Sequence, residues 1–176
     1  ELPRVSVCLA LGTSPEAVSR SLQSLAAQRD IKLEVVLVAP TDSKALDAVL
    51  ATPPFPDIHL IQLPVAFDRA TARNMALAQS TGDYVVFLDA GDVAAPERLQ
   101  RQVALLETRP AIDIVGCWCE TGDGPLRFAE RHQDIVAEYL GPHPLLLSAC
   151  MVRRSFLERS GVRHDPEFTV HDDLHL

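Results

Sequence analysis

The sequence predicts an α/β fold, a doubly wound and mostly parallel sheet flanked by helices. Three observations lead there. Strand-length runs such as Glu34-Val-Val-Leu-Val-Ala39 are apolar at consecutive positions, which suits a strand covered on both faces. These runs alternate with segments whose apolar residues recur at helical spacing, the pattern of right-handed strand–helix–strand units. The chain has 176 residues, 47% hydrophobic and 23% charged, enough for one buried core without staples.

The elements follow in order. Val5 to Leu11 is a β-rich run ending at Gly12. Ser14-Pro15-Glu16 reads as an N-cap with proline at the first helical position, followed by Val18, Leu22, Leu25 and Ala26 on one face. Glu34–Ala39 is the second strand, stopped by Pro40, and Asp42–Leu50 reads as a short helix. After a proline-rich loop (Pro53-Pro54-Phe55-Pro56), Ile58–Leu63 is the third strand. Phe67–Gln79 is helical with a small-residue face, and Gly82 is expected to end it. Tyr84–Leu88 is the fourth strand and runs straight into Asp89-Ala90-Gly91-Asp92. Ala95-Pro96-Glu97 starts a helix carrying Leu99, Val103 and Leu106. Ile112–Cys119 reads as a fifth strand and Glu120–Arg131 as a loop or exposed hairpin. Ile135–Leu140 is a short helix, Leu145–Val152 a further strand and Arg154–Ser160 a last short helix. No linker interrupts the pattern, so residues 1–176 are expected to form a single domain.

Composition narrows the function. Sixteen basic against 24 acidic residues give a net charge of −8, which offers no bulk attraction for nucleic acid or anionic lipid. No apolar run approaches the ~20 residues of a membrane span, and Glu1-Leu2-Pro3-Arg4 opens no secretory leader. Cys8, Cys117, Cys119 and Cys150 all sit in apolar, strand-like runs and read as small buried hydrophobes in a reducing compartment. The expected location is cytoplasmic, free or at the cytoplasmic face of the membrane.

In open α/β sheets, ligands bind at the carboxyl ends of the strands. The candidate positions are therefore Leu11-Gly12, Ala39-Pro40 and Asp89-Ala90-Gly91-Asp92. Two carboxylates leaving a buried strand offer hard oxygens that suit Mg²⁺ or Mn²⁺, and through the metal a diphosphate. The bland alternative is an acidic turn capping the next helix. Arg73-Asn74 lies on the helix before that strand; an arginine in so alanine-rich a segment can reach into the same crevice, the alternative being a surface arginine with a packed stem. A later cluster (His164, Asp165, His171, Asp172, Asp173, His175) offers a carboxylate as general base, or is a solvated tail. His171 and His175 also have the spacing of the zinc metallopeptidase helix. Asp172 is one methylene shorter than the glutamate that chemistry uses, and no third ligand follows in the sequence. Neither a dinucleotide glycine fingerprint nor a Walker loop is present.

Taken together, these residues resemble family 2 glycosyltransferases of the GT-A fold. Four stretches carry the likeness from Val5 to Leu176. The first joins Val5–Leu9, Ser21-Leu22-Gln23-Ser24-Leu25-Ala26-Ala27-Gln28 and Glu34–Val38. The second runs from Ala72-Arg73-Asn74-Met75-Ala76-Leu77 through Thr81-Gly82-Asp83 to Asp92. The third is Pro96-Glu97-Arg98-Leu99. The fourth is Met151–Phe156, Gly161 and Asp172-Asp173-Leu174-His175-Leu176.

The resemblance implies a nucleotide-binding half over about residues 1–92 and an acceptor half over about 93–176. It also implies that the C-terminal part of the catalytic domain follows Leu176. Leu11, Ala39, Arg73 and Asp89 would meet the nucleotide sugar, and Asp92 with Asp89 the Mn²⁺ or Mg²⁺ bound with the diphosphate. His171 or His175 is a possible further ligand. Asp173, with Asp172 beside it, would be the base that deprotonates an acceptor hydroxyl, so that transfer inverts the anomeric carbon. The implied partners are a nucleotide-diphosphate sugar and an unidentified hydroxyl acceptor.

Three positions depart from the family pattern. Ala39-Pro40 stands where an aspartate is usual, Ala10-Leu11-Gly12 replaces a Pro-Thr-Tyr-like stretch, and Gly91 occupies the third position of the acidic motif. They motivate an alternative, a degenerate domain acting as a binding or scaffold module. A third option, a nucleotidyltransferase, would want a basic, glycine-rich loop where Leu11-Gly12-Thr13-Ser14-Pro15 stands.

Overall fold

Strand β1 (Arg4–Ala10) is the hub of the sheet. Its odd-numbered residues Val5, Val7 and Leu9 bury on one face, and Cys8 on the other, as the two-residue side-chain period of a strand requires. The computed structural model describes residues 1–10, 14–41, 43, 46, 58–63, 67–138 and 145–165. β1 is followed by α1 (Pro15–Ala26), β2 (Lys32–Pro40), β3 (Ile58–Leu63), α2 (Arg69–Gln79) and β4 (Tyr84–Asp89). Then come α3 (Arg98–Thr108), β5 (Ile114–Val115), the hairpin β6 (Cys119–Thr121) and β7 (Gly124–Leu126), and α4 (His132–Glu138). A 3₁₀ turn (Leu147–Ala149), β8 (Met151–Arg153) and α5 (Arg154–Ser160) complete the described chain.

The sheet order is β3-β2-β1-β4-β8-β5. The first four strands are parallel, and β8 runs antiparallel between β4 and β5. Both faces are covered. On one, Val35, Leu37 and Ala39 join the odd residues of β1 against Val18, Leu22 and Leu25 of α1 and Leu99, Val103 and Leu106 of α3. On the other, Val36, Val38, Val85 and Phe87 pack with Ala72, Ala76 and Leu77 of α2 and Leu157 of α5. Each such Val, Leu or Phe contributes about 1.5–3 kcal/mol on burial. This is the doubly wound, mostly parallel sheet that the consecutive apolar runs predict.

The helix starts follow their capping chemistry. Ser14 Oγ accepts from Ala17 N–H at 3.2 Å with Pro15 at the first helical position, and the Asp68 carboxylate accepts from Thr71 N–H at 2.6 Å to start α2. Three expectations need correction. Helix α2 stops at an extended Ser80, not at Gly82. Gly82 instead packs against β1, where a Cβ would sit 2.6 Å from Ser6 N and 2.7 Å from Ser6 Oγ. The fifth strand shrinks from Ile112–Cys119 to Ile114–Val115, and Leu145–Val152 becomes a 3₁₀ turn followed by β8. One buried side chain accounts for both. Gln102 Nε2 donates to Val115 O at 3.1 Å and Ala149 O at 2.9 Å, so these carbonyls are satisfied without a strand partner. Consequently Cys117 lies off the sheet, and Cys150 precedes β8; all four cysteines are free thiols. The expected Asp42–Leu50 helix lies largely outside the described residues.

Candidate active site

Strands β1, β2 and β3 run outward on one side of the sheet, and the chain then returns to place β4 on the other side of β1. The carboxyl ends of β1 and β4 therefore form a topological switch point, the place where open α/β sheets bind ligands. Asp89, the last residue of β4, stands opposite Ala10, the last of β1.

Arg73 approaches Asp89 from α2. Its side chain is only 3% exposed, and Nη2 donates to Asp89 Oδ1 at 3.3 Å and Oδ2 at 3.4 Å. Arg69, one helical turn earlier, brings Nη1 to 4.0 Å from Asp89 Oδ2. A buried guanidinium keeps its charge and needs an anion, and Asp89 supplies it. Arg69 was not among the expected residues, although its i, i+4 spacing from Arg73 would have revealed it.

After Asp89 the chain turns sharply. Asp92 N–H donates to Asp89 O at 3.0 Å, and Gly91 takes φ +108°. A side chain at that φ is strained, so the glycine is what lets two carboxylates flank so tight a turn. The departure at Gly91 is thus a backbone requirement of this turn.

Helix α1 clamps the turn from below. Ser21, fully buried, accepts from Gly91 N–H at 2.9 Å and donates to Asp92 O at 2.8 Å. Ser24 Oγ accepts from Ala94 N–H at 3.0 Å. Gln28 donates to Ala95 O at 2.8 Å and accepts from Leu99 N–H at 3.1 Å. The polar stripe Ser21, Ser24 and Gln28 thereby holds the acidic turn and the approach to α3. These bonds engage only the backbone of Asp92, whose side chain takes none of them.

Asn74 performs a different task. Its Nδ2 donates to His164 O at 2.7 Å and its Oδ1 accepts from His164 N–H at 3.0 Å. This two-point clamp fastens the segment after α5 to α2. The buried His164 ring stands edge-on to Phe87, with centroids 4.9 Å apart at 82°.

The structure thus brings Arg73, Asp89 and Asp92 to one end of the sheet. Ala39 reaches the same end on β2, but its side chain is fully buried in the core, so only its backbone is left to meet a ligand. Leu11, Asp172, Asp173, His171 and His175 lie outside the described residues. Among the described residues, no three His, Cys, Asp or Glu side chains form a ready metal cage. The donor set still fits Mg²⁺ or Mn²⁺, which are commonly held by one or two carboxylates with substrate phosphates completing the shell.

A separate depression lies at the amino ends of β1 and β2, lined by Arg4, Glu34, His59, Thr81 and Gly82 among others. There Glu34 accepts from the Ser6 hydroxyl, from Thr81 N–H at 2.9 Å and from the Thr81 hydroxyl at 3.2 Å. Its groups are spent on one another, which makes it a structural knot.

Comparison with known proteins agrees with this geometry. Residues 6–161 match the family described as "Glycosyl transferase family 2". A relative named "Succinoglycan biosynthesis protein ExoO", from Rhizobium meliloti (strain 1021), is 30% identical over 103 residues, covering 58% of this chain and 30% of that protein. The crystal structure of S. aureus TarS 1-349 in complex with UDP-GlcNAc superposes with a TM-score of 0.75 at 20% identity, over 97% of this chain and 51% of that one. The mannosyltransferase PcManGT from Pyrobaculum calidifontis, in complex with GDP-Man and Mn2+, gives 0.68 at 25% identity, over 90% of this chain and 47% of that one. The chain therefore spans about half or less of the length of these proteins. Among the described residues, no helix is long and apolar enough to cross a membrane.

Proposed function

The chain belongs to glycosyl transferase family 2, and from that premise we propose that it transfers a hexose from a nucleotide-diphosphate sugar to an acceptor hydroxyl with inversion at the anomeric carbon. The observation that carries this reading is the paired carboxylates at the switch point. Asp89 is braced by a buried arginine, and Asp92 is fixed three residues on by a glycine turn. The UDP-GlcNAc and GDP-Man complexes of the structural neighbours support a nucleotide-sugar donor and leave the base open.

In this reading the donor lies over residues 1–92 and the acceptor over 93–176. Asp89, held in place by Arg73, orients the ribose side of the donor. Asp92, with Asp89, would hold Mn²⁺ or Mg²⁺ against the diphosphate. When bound, the metal neutralises charge growing on the leaving diphosphate. Asp173 is the proposed base for the acceptor hydroxyl, with Asp172 as its neighbour and competitor. General-base catalysis is worth about 10²–10⁴-fold in rate, because a sugar hydroxyl is far too weak an acid at neutral pH. Asn74 contributes by anchoring the segment that leads to this pair. The cytoplasmic setting expected from the cysteines belongs to the same proposal.

Calorimetric titration with UDP and GDP, each with Mn²⁺ and with chelator, tests the site. One nucleotide should bind more tightly with Mn²⁺, Asp92→Asn should remove that gain with the fold intact, and Arg73→Met should weaken binding with or without metal. Unchanged metal dependence in Asp92→Asn would take Asp92 out of the site. The buried Ala39, which leaves the end of β2 without a polar side chain, favours a binding-only module as the second reading. Tight nucleotide binding without sugar transfer or donor hydrolysis by the intact protein would select it.

A further inference from the structure

We propose that Trp118 and Arg127 form a platform on which a sugar ring of the acceptor saccharide stacks, an inference that rests on the glycosyltransferase reading above. Trp118 is the sole tryptophan of the sequence, and 53% of it is exposed. An indole in water forfeits the burial that makes it useful, and here it is also held still. Its Nε1–H donates to Phe128 O at 3.2 Å, and the Arg127 guanidinium lies 5.1 Å from the ring centroid.

The hairpin explains the arrangement. Pairing of Cys119 with Leu126, Glu120 with Pro125 and Thr121 with Gly124 makes Trp118 and Arg127 the next opposed positions, at the hairpin's open end. Cys117 turns inward, its thiol on Ala149 O at 3.4 Å, and Trp118 turns out. The Cys117 thiol and Gln102 of α3 meet at the same Ala149 O, and Arg98 donates to Ser148 O at 2.6 Å, so the open end of the hairpin adjoins the start of α3, which follows the acidic turn.

The surroundings select a saccharide over a protein surface. Glu120, Thr121 and Asp123 on the same hairpin are exposed and polar, whereas the centre of a protein–protein interface is depleted of charge. A single rigid aromatic among hydrogen-bonding groups matches a pyranose instead, which offers one face of C–H groups to a π surface and hydroxyls around its edge. The Arg127 fork adds donors for a hydroxyl or carboxylate of that sugar or the next. A pre-set ring also loses little freedom on binding.

Trp118 is the sole tryptophan of these 176 residues, and the difference in emission between the protein and its Trp118→Phe variant isolates its signal. The intact protein is titrated with cellotetraose and with tetragalacturonate, neutral and acidic probes. At least one should give a saturable change in emission, with protection from iodide quenching. Trp118→Ala should raise KM about tenfold for whichever saccharide accepts sugar. It should leave kcat within about twofold and nucleotide affinity unchanged, and Trp118→Phe should restore most of the loss. Arg127→Ala should raise KM about threefold. The proposal is overturned if neither probe changes the emission. It is also overturned if Trp118→Ala keeps its KM, or if the indole is already shielded from iodide by another part of the protein or a second copy. Nucleotide binding with no saccharide response defeats the platform alone, whereas absence of nucleotide binding defeats the reading beneath it.

Discussion

Replacing Ser21 with alanine isolates the clamp on the acidic turn. The Ser21 oxygen accepts from Gly91 N–H at 2.9 Å, and its one proton goes to Asp92 O at 2.8 Å, with Ala17 O farther away at 3.3 Å. Two bonds to the turn are therefore lost, each worth about 0.5–1.5 kcal/mol net, or about 1–3 kcal/mol together. Alanine recovers up to about 0.5 kcal/mol through its better helix propensity. A loss of about 0.5–3 kcal/mol is expected, read as a lower urea midpoint at unchanged slope.

The same change should act on function out of proportion to stability. With Gly91 N–H and Asp92 C=O orphaned, the turn is free to carry the Asp92 carboxylate away from where a diphosphate-bound metal needs it. Mn²⁺-dependent nucleotide affinity should drop at least tenfold, while metal-free binding changes little. Ser24→Ala is the control, since it removes the 3.0 Å bond from Ala94 N–H, beyond the acidic pair, and a 2.7 Å bond to Ser21 O within α1, but neither Ser21 bond to the turn. It should cost about 1 kcal/mol and keep the metal dependence. The reasoning is refuted if Ser21→Ala loses under about 0.5 kcal/mol, or if both variants lose metal-dependent affinity equally.

Three further outcomes follow from the fold. Gly82→Ala drives a Cβ to 2.6 Å from Ser6 N, a backbone atom that cannot yield, and should cost about 2–3 kcal/mol in urea unfolding with the nucleotide site intact. Burial alone would raise the Glu34 pKa, but hydrogen bonds from Ser6 and Thr81, with His59 adding, hold it below the ordinary 4.5. Its contribution is thus full above the unfolded value and lost as pH falls through the folded one, so the melting-temperature gap between wild type and Glu34→Gln should close on acidification below that value. Burial pushes the Cys8 thiol up to about 12 against the lowering influence of Arg154. Mass spectrometry after alkylation near pH 8 should therefore find Cys8 unmodified until the protein is unfolded.

Much of this architecture was legible in the sequence, for identifiable reasons. Strands β1, β2 and β4 were legible from their near-continuous apolar runs, which suit burial on both faces, whereas β3 is half-exposed and carries His59 and Gln62. The meeting of Arg73 with Asp89 was legible because helix and strand precede one turn in the chain. Other features depended on contacts that no local pattern carries. Gln102 looks like a surface residue of an amphipathic helix, yet it is buried and ends two strands by taking their carbonyls. Ser21 and Ser24 of α1, with Gln28 just beyond its end, form a polar stripe that reads as solvent-facing until the turn 70 residues away is laid on it. The glycine at 82 was read by the commonest use of glycine near a helix end, when its work is close packing against β1.

The two acidic residues of the turn cannot be equivalent, and the reason lies in what each already does. Asp89 faces a buried guanidinium at 3.3 Å and a second at 4.0 Å. Its charge faces that of Arg73, and neutralising it removes a carboxylate from a cation that is only 3% exposed. Asp89→Asn should therefore cost stability as well as binding, about 1–3 kcal/mol given that the carboxylate itself is partly open to water. Among the described residues Asp92 is held through its backbone alone, so Asp92→Asn should leave the urea midpoint within about 0.5 kcal/mol of wild type. The turn thus divides its labour. One carboxylate is fixed by the protein and fixes the site in return, while the other stays available for a cation that arrives with its diphosphate. Equal destabilisation by the two substitutions would contradict that division, because it would mean Asp92 carries a structural partner of its own.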